Sequence, residues 1–379
     1  MKGKQGLVCM GLLLVLSSCS CHTGKQITAS GLQRKDFQTE VNGQHTDLFT
    51  LSNKQGMEVC ITNYGARVVS ILVPDRNGKR EDVVCGFSTI TEYMEQRQNF
   101  GSTVGRYIGR ILNARFTLDG VEYKLVPNNG KSGHISHGGN PGFADRIWKV
   151  EQADTHRVRL SYLSPDGENG FPGNLKVTLV YSLGEDDNAL DLTYEVTTDA
   201  PTVLNLSHHS FFNISGNFTK SVEDQQLWVD ADRFTPYDDK KCVTGEYLPV
   251  AGTPLDFRMP HTIGECIDAD HPQLKVVNGY DHTWELNTKG DDTRPAAWVY
   301  DPASGRKMEI FTTEPGMQIY TGNGLKGKMT GKGGIAYPFR SAVCFETMHF
   351  QDSPNQPGFP STVLRPGEVF RSHTVYKFE

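Results

Sequence analysis

Strict alternation of apolar and polar residues constrains this chain more than any other feature. Leu190, Leu192, Tyr194 and Val196 alternate with Asp191, Thr193, Glu195 and Thr197, and Leu175, Val177, Leu179, Tyr181 and Leu183 repeat the pattern upstream. Successive side chains of a strand face opposite ways, so a period of two predicts half-buried strands. Residues 184–188 supply the turn between these two. Asp119-Gly120, set between Phe116-Thr117-Leu118 and Val121-Glu122-Tyr123, predicts a tight hairpin because both turn positions tolerate positive φ. Pro74–Gly78 and Pro302–Gly305 mark two further turns between apolar runs. Helical spacing is confined to a turn or two near residues 90–98. Many strands with short links predict an all-β sandwich or barrel, and the lack of a fixed-period repeat argues against a propeller. No linker divides residues 31–379, which are expected to form one domain.

Composition narrows the function classes. Lys and Arg number 38 against 44 Asp and Glu, a net charge of −6, which offers no basic surface for nucleic acid. Glycine (39) and proline (19) favour turns but stay well short of a low-complexity share of the 379 residues. No run of eighteen apolar residues is available for a spanning helix.

The N-terminus reads as an address. Lys2 and Lys4 precede an apolar stretch at 7–16, followed by Leu16-Ser17-Ser18-Cys19. A basic end, a short apolar run and small residues predict a secretory leader. The four residues ending at Cys19 also resemble a bacterial lipobox, in which the cysteine is lipidated and becomes the new N-terminus. The alternatives are an ordinary leader cut near Ala29, or a buried strand. On the lipobox reading, residues 1–18 are the signal peptide, 19–30 are a tether, and folding begins near Gly31. The protein is then an exported lipoprotein, periplasmic or at the cell surface of a bacterium, and meets the membrane only through its lipid.

Several clusters could carry chemistry. The eight cysteines (9, 19, 21, 60, 85, 242, 266 and 344) contain no C-x-x-C pair and suit neither zinc nor a disulfide scaffold; those of the body read mostly as small buried hydrophobes. Gly322–Met329 nearly spells a P-loop, but Met329 cannot hold Mg²⁺ and no helical pattern follows. Ser207-His208-His209-Ser210 places two histidines in a row, of which a strand would aim at most one at a given site. A surface histidine beside a hydrogen-bonded core histidine is the plainer reading. In His134-Ile135-Ser136-His137-Gly138-Gly139 the two glycines allow a sharp turn or a close approach to a ligand. Asp281 precedes His282 in a possible turn. Glu346 sits inside the apolar run Ala342–Thr347, where a buried carboxylate needs a partner or a task.

Taken together, these segments resemble the aldose 1-epimerase (galactose mutarotase) family. Gly101–Ile111 is similar to its G-x-x-x-G-R-x-x-N-R-I, Ser136-His137-Gly138-Gly139 to L-H-G-G, and Asn205–Asn213 to N-L-x-x-H-S-Y-F-N. Gly279-Tyr280-Asp281-His282 matches G-Y-D-H, and Pro315–Asn323 matches P-G-x-Q-x-Y-T-G-N. Phe345-Glu346-Thr347, Asn355-Gln356-Pro357 and Leu364–Glu368 complete the C-terminal signature in order.

The resemblance implies a large antiparallel β-sandwich with an open sugar cleft, and an isomerase that interconverts α- and β-anomers of free aldohexoses such as glucose and galactose. It implies His209 as general acid and Glu346 as general base, with Arg110, His137, Asp281 and Gln318 around the sugar hydroxyls. Gly109 stands where the pattern has asparagine, and Ser136 where it has leucine. An amide restored by Gly109→Asn is therefore expected to lower KM for at least one hexose.

Removing the anomeric proton while protonating the ring oxygen opens the pyranose, and a carboxylate and an imidazolium can do both. Activity is expected to fall at low pH as Glu346 protonates and at high pH as His209 loses its proton. The reaction calls for no cofactor and no catalytic metal; a structural ion is left open. The expected partner is an aldose, with a monomer favoured. The rival readings are a noncatalytic sugar-binding protein and, further off, a glycosidase, which would need two carboxylic acids in the cleft.

Overall fold

The computed structural model describes residues 26–379, and its framework is three antiparallel sheets. The largest has nine strands, in the spatial order Lys149–Ala153, Arg157–Ser164, Leu175–Leu183, Ala189–Thr198, Phe370–Phe378, Lys307–Thr312, Ala297–Tyr300, Gln226–Val229 and His261–Thr262. A six-stranded sheet runs Phe211–Phe212, Val343–Met348, Gly316–Tyr320, Asp281–Glu285, Arg233–Thr235 and Leu248–Pro249. A four-stranded meander, Leu48–Ser52, Glu58–Thr62, Arg67–Pro74 and Arg80–Asp82, forms the third.

The alternation read from the sequence decides the packing. Leu175, Val177, Leu179, Tyr181 and Leu183 are all buried, and their strand pairs with Ala189–Thr198 in the register Leu175↔Thr198 to Leu183↔Leu190. One continuous apolar cluster joins the sheets: Val177, Leu192 and Tyr376 from the largest, Val59, Ile61 and Val68 from the smallest, and Met317, Ile319 and Phe345 from the six-stranded one. Each such fully buried side chain contributes roughly 1.5–3 kcal/mol relative to leaving it in water. The Asp119-Gly120 hairpin forms as expected, with φ of 52° and 79° and Leu118 facing Val121.

Among the described residues two short α-helices interrupt the strands. Ile90–Gln96 begins in a capping box between Thr89 and Glu92, and lies where helical spacing was expected. Pro272–Val277 was not anticipated, although His271-Pro272 starts it and Asn278, in the left-handed region, ends it. Six residues are too few to show a period. Among the described residues no helix is long and apolar enough to cross a membrane.

The folded body starts earlier than Gly31. Thr28 is buried, and the Ala29 N–H donates to Oε1 of Glu58 at 2.6 Å, so Thr28–Ser30 are fastened to the meander rather than belonging to a tether. The leader at 1–18 and the proposed lipid site Cys19 lie outside the described residues. The five described cysteines are free; Cys60, Cys85 and Cys344 are buried, and Cys242 and Cys266 are partly exposed.

Candidate active site

The six-stranded sheet gives one face to the core and the other to a polar cleft. Its register places Thr283 opposite Gln318 and Gln318 opposite Glu346, so these three side chains form one row across three strands. Asp281, Tyr320 and Cys344 form the next row on the same face. The intervening residues Trp284, Met317, Ile319, Val343 and Phe345 point the other way, into the apolar cluster. Period two thus sets an acidic, hydrogen-bonding face directly behind a hydrophobic one.

His209 reaches this floor from Ser207–His209, which runs directly into Phe211–Phe212 at the edge of the six-stranded sheet. Ser207–His209 pairs with Ser102–Val104, His209 opposite Ser102. Nε2 of His209 lies 3.4 Å from Oε1 of Glu346, and the ring stacks on Phe211 with centroids 5.1 Å apart. The other histidine faces away, as a strand requires. His208 is buried with Oγ of Ser210 2.6 Å from its Nε2, and burial lowers its pKa to about 3. His282 is likewise a core residue, its pKa also lowered to about 3 by burial.

Loops build the rim. Arg110 follows Gly109 at the edge of a two-residue strand that pairs with Ile135–Ser136, which brings His137 beside it. His137 and the glycines after it all have positive φ (51°, 77° and 102°), and a Cβ on Gly138 would stand 1.9 Å from the Gly105 carbonyl oxygen. The turn therefore packs backbone on backbone, which fixes the His137 ring 5.5 Å from that of His209. The neighbouring segment is held by Arg67, whose guanidinium donates to the carbonyls of Gln98, Phe100 and Ala144. Arg106, in the same motif as Arg110, is turned inward, where it donates to Ser164 and to the carbonyls of Pro172 and Gly173.

The resulting cleft has a volume of about 240 Å³ and brings together every site residue expected from the sequence: Gly109, Arg110, His137, His209, Asp281, Gln318 and Glu346. It also contains Gln98, Asn99, Phe211, Tyr320, Met348 and Gln351, which sequence reasoning missed. Tyr320 and Met348 lie two residues from Gln318 and Glu346, so strand periodicity could have found them; Gln98 and Gln351 carry no local signal.

Burial governs the electrostatics. It pushes the Glu346 carboxyl well above its ordinary pKa, with the Asp281 charge adding to the effect. Burial also pulls His209 well below the ordinary imidazole value, helped by His137. Burial thus disfavours charge on both members of the dyad, against the carboxylate–imidazolium pair expected from the sequence. His137 is lowered to about 4 by burial and then by Arg110. Asp281 is raised by burial, against the opposing pull of Arg110 and of Gln318, whose Nε2 donates to Oδ1 of Asp281 at 2.7 Å. Nδ1 of His137 and Nδ1 of His209 are buried without a protein hydrogen-bond partner in the described structure.

The dyad also bears on metal binding. His209, Cys344 and Glu346 offer ligand atoms within 4.8 Å of one another. The donor set fits a metal poorly, because burial holds the Cys344 thiol protonated and His209 lacks the orienting partner that a ligating histidine uses on its second nitrogen.

Residues 47–377 match the family described as Aldose 1-epimerase. This chain belongs to that family. It is 38% identical over 330 residues to the galactose mutarotase of Sus scrofa, a match covering 87% of this chain and 93% of that protein. To the aldose 1-epimerase of Escherichia coli it is 36% identical over 339 residues, 89% of this chain and 96% of the other. The crystal structure of a GalM/aldose epimerase homologue from C. elegans superposes with a TM-score of 0.81 at 30% identity, covering 88% of this chain and 99% of that one. The chain is accordingly an isomerase that interconverts aldose anomers.

The structure bears on one expectation within the aldose 1-epimerase cleft. A side chain at Gly109 would not enter open space: an ideal Cβ there meets Cγ of Gln351 at 2.5 Å and its Cδ at 3.0 Å. Restoring an amide at this position drives it into Gln351, so Gly109→Asn is expected to weaken sugar binding rather than improve it.

Proposed function

We propose that this aldose 1-epimerase acts on free aldohexoses, with His209 and Glu346 as its acid–base pair and Arg110, His137, Asp281 and Gln318 as its hydroxyl-binding residues. The observation that carries the assignment is the 3.4 Å approach of His209 to Glu346 inside a polar cleft, with both groups buried. When the single proton of the pair sits on His209, Glu346 accepts the anomeric proton while His209 protonates the ring oxygen, and the C–O ring bond opens. The pair then holds that proton on Glu346. After rotation about C1–C2, Glu346 returns a proton to the carbonyl oxygen, His209 takes the hydroxyl proton, and the ring closes on the other face.

Both transfers use groups supplied by the chain, each of a kind that gains typically 10²–10⁴-fold. Arg110 and Asp281 fix the ring through charge-assisted hydrogen bonds, which hold the anomeric carbon over the dyad. Polarimetry of freshly dissolved α-D-galactose and α-D-glucose tests the reading. Equilibration well above the spontaneous rate is expected. Sugar binding with no acceleration would favour a noncatalytic protein, and release of an aglycone from a glycoside would favour a hydrolase.

A location is proposed from the leader as well. On the composition of residues 1–19, the protein is exported and held by a lipid on Cys19, so that it meets sugars outside the cytoplasm.

A further inference from the structure

The Gly109 backbone has φ of 74°, and the volume that its side chain would take is filled by Gln351, a residue 5% exposed that reaches in from just beyond the C-terminal end of the Glu346 strand. Gln351 is not an idle filler. Its Nε2 donates to the Tyr237 hydroxyl at 2.7 Å and approaches Oε1 of Gln318 at 3.3 Å, while its Oε1 receives the Arg110 N–H at 3.3 Å. It therefore touches, through one carboxamide, the backbone that carries Arg110 and the side chain that holds Asp281. A carbonyl oxygen has two lone pairs, and the described structure gives Oε1 one donor. Gln351 also lines the cleft beside Arg110, where a sugar hydroxyl can supply the second.

We propose that Gln351 is a sugar-binding and specificity-determining residue, its carboxamide delivered from beyond the Glu346 strand into the place left by a missing side chain at position 109. The proposal rests on the aldose-epimerase reading of the cleft. The two positions form one exchangeable unit: glycine at 109 is required because glutamine occupies 351, and neither can be changed alone without loss. A purely structural glutamine would alter stability but would not change how the enzyme ranks sugars.

The test uses the folded chain, with kcat and KM measured by mutarotation of galactose, glucose and xylose. Gln351→Met keeps the bulk and removes the hydrogen bonds. It should raise KM by about 3- to 10-fold, the range of one ordinary hydrogen bond, leave kcat within about 2-fold, and alter the KM ratio between sugars. Gly109→Asn alone should raise KM, and adding Gln351→Ala to it should bring KM below that of either single variant.

Unchanged KM values in well-folded Gln351→Met, or a Gly109→Asn enzyme that binds as well as wild type, would overturn the proposal. If Gln351→Met fails to fold, Gly109→Asn with and without Gln351→Ala decides the question on its own. If the wild type accelerates no mutarotation, the activity reading fails separately, and calorimetric titration of galactose into the same variants still decides the role of Gln351.

Discussion

Nε2 of His209 stands 3.4 Å from Oε1 of Glu346, although the two residues belong to different ladders and are separated by 137 positions in the chain. The antiparallel register that sets Phe211 opposite Cys344 and Phe212 opposite Val343, carried two residues further, brings His209 across from Glu346. Both groups lie beneath the cleft surface, where desolvation disfavours charge on each, and at this separation their titrations are coupled and belong to the pair rather than to either residue.

Glu346→Gln and His209→Asn should each lower kcat by about 10²-fold or more while changing KM less, because an acid–base group acts mainly in the transition state. The double variant should lose much less than the product of the two, since both serve one ring-opening step. Stopped-flow polarimetry on proteins with unchanged circular dichroism checks this. Near-normal turnover by folded Glu346→Gln would remove it from the mechanism.

The pH profile should be bell-shaped, with its limbs assigned oppositely to a simple charged pair. His209 has a lowered pKa, so the acid limb marks uptake of a second proton and lies below the ordinary imidazole value. Glu346 has a raised pKa, so the alkaline limb marks loss of the shared proton and lies above the ordinary carboxyl value. Asp281 contributes to raising Glu346. Replacing it by Asn should therefore move the alkaline limb of kcat to lower pH, whereas a limb that stays fixed assigns that titration elsewhere.

Gly138→Ala should destabilise the fold by more than about 1 kcal/mol, because the added Cβ meets the Gly105 carbonyl oxygen at 1.9 Å in a left-handed backbone. A lowered melting temperature accompanied by weakened sugar binding is expected, since the turn positions His137. A melting point equal to wild type would mean that the turn relaxes freely.

Cys19→Ala should release the protein from the membrane fraction or leave it unprocessed. Fractionation that finds the wild type freely soluble in the cytoplasm would defeat the lipoprotein reading.

The all-β character was legible because alternation over Leu175–Leu183 and Leu190–Val196 is a local property. The seven residues that meet in the cleft were reached through separate short motifs, spread from Gly109 to Glu346, that resemble those of the family. Charge state was not legible: the shift of Glu346 depends on the depth of the cleft and on Asp281, which no local window contains. Gln351 stayed hidden for the same reason. Its meaning lies in a contact with Gly109, 242 positions away, and a glutamine after an apolar strand gives no sign of it.

The division of the cleft into a strand-built floor and a loop-built rim has a consequence for how the enzyme fails. Glu346, Gln318 and Thr283 share continuous ladders with the apolar core, so their amides should exchange with solvent only when the whole body unfolds. The His137–Gly139 turn and the Gly109–Arg110 segment lie outside those ladders, held by a two-residue pairing and single bonds such as His137 N–H to the Gly109 carbonyl, and should open at a lower free energy than the floor. Mild denaturant should therefore loosen the grip on sugar before it disables proton transfer, with KM climbing at concentrations where kcat still holds.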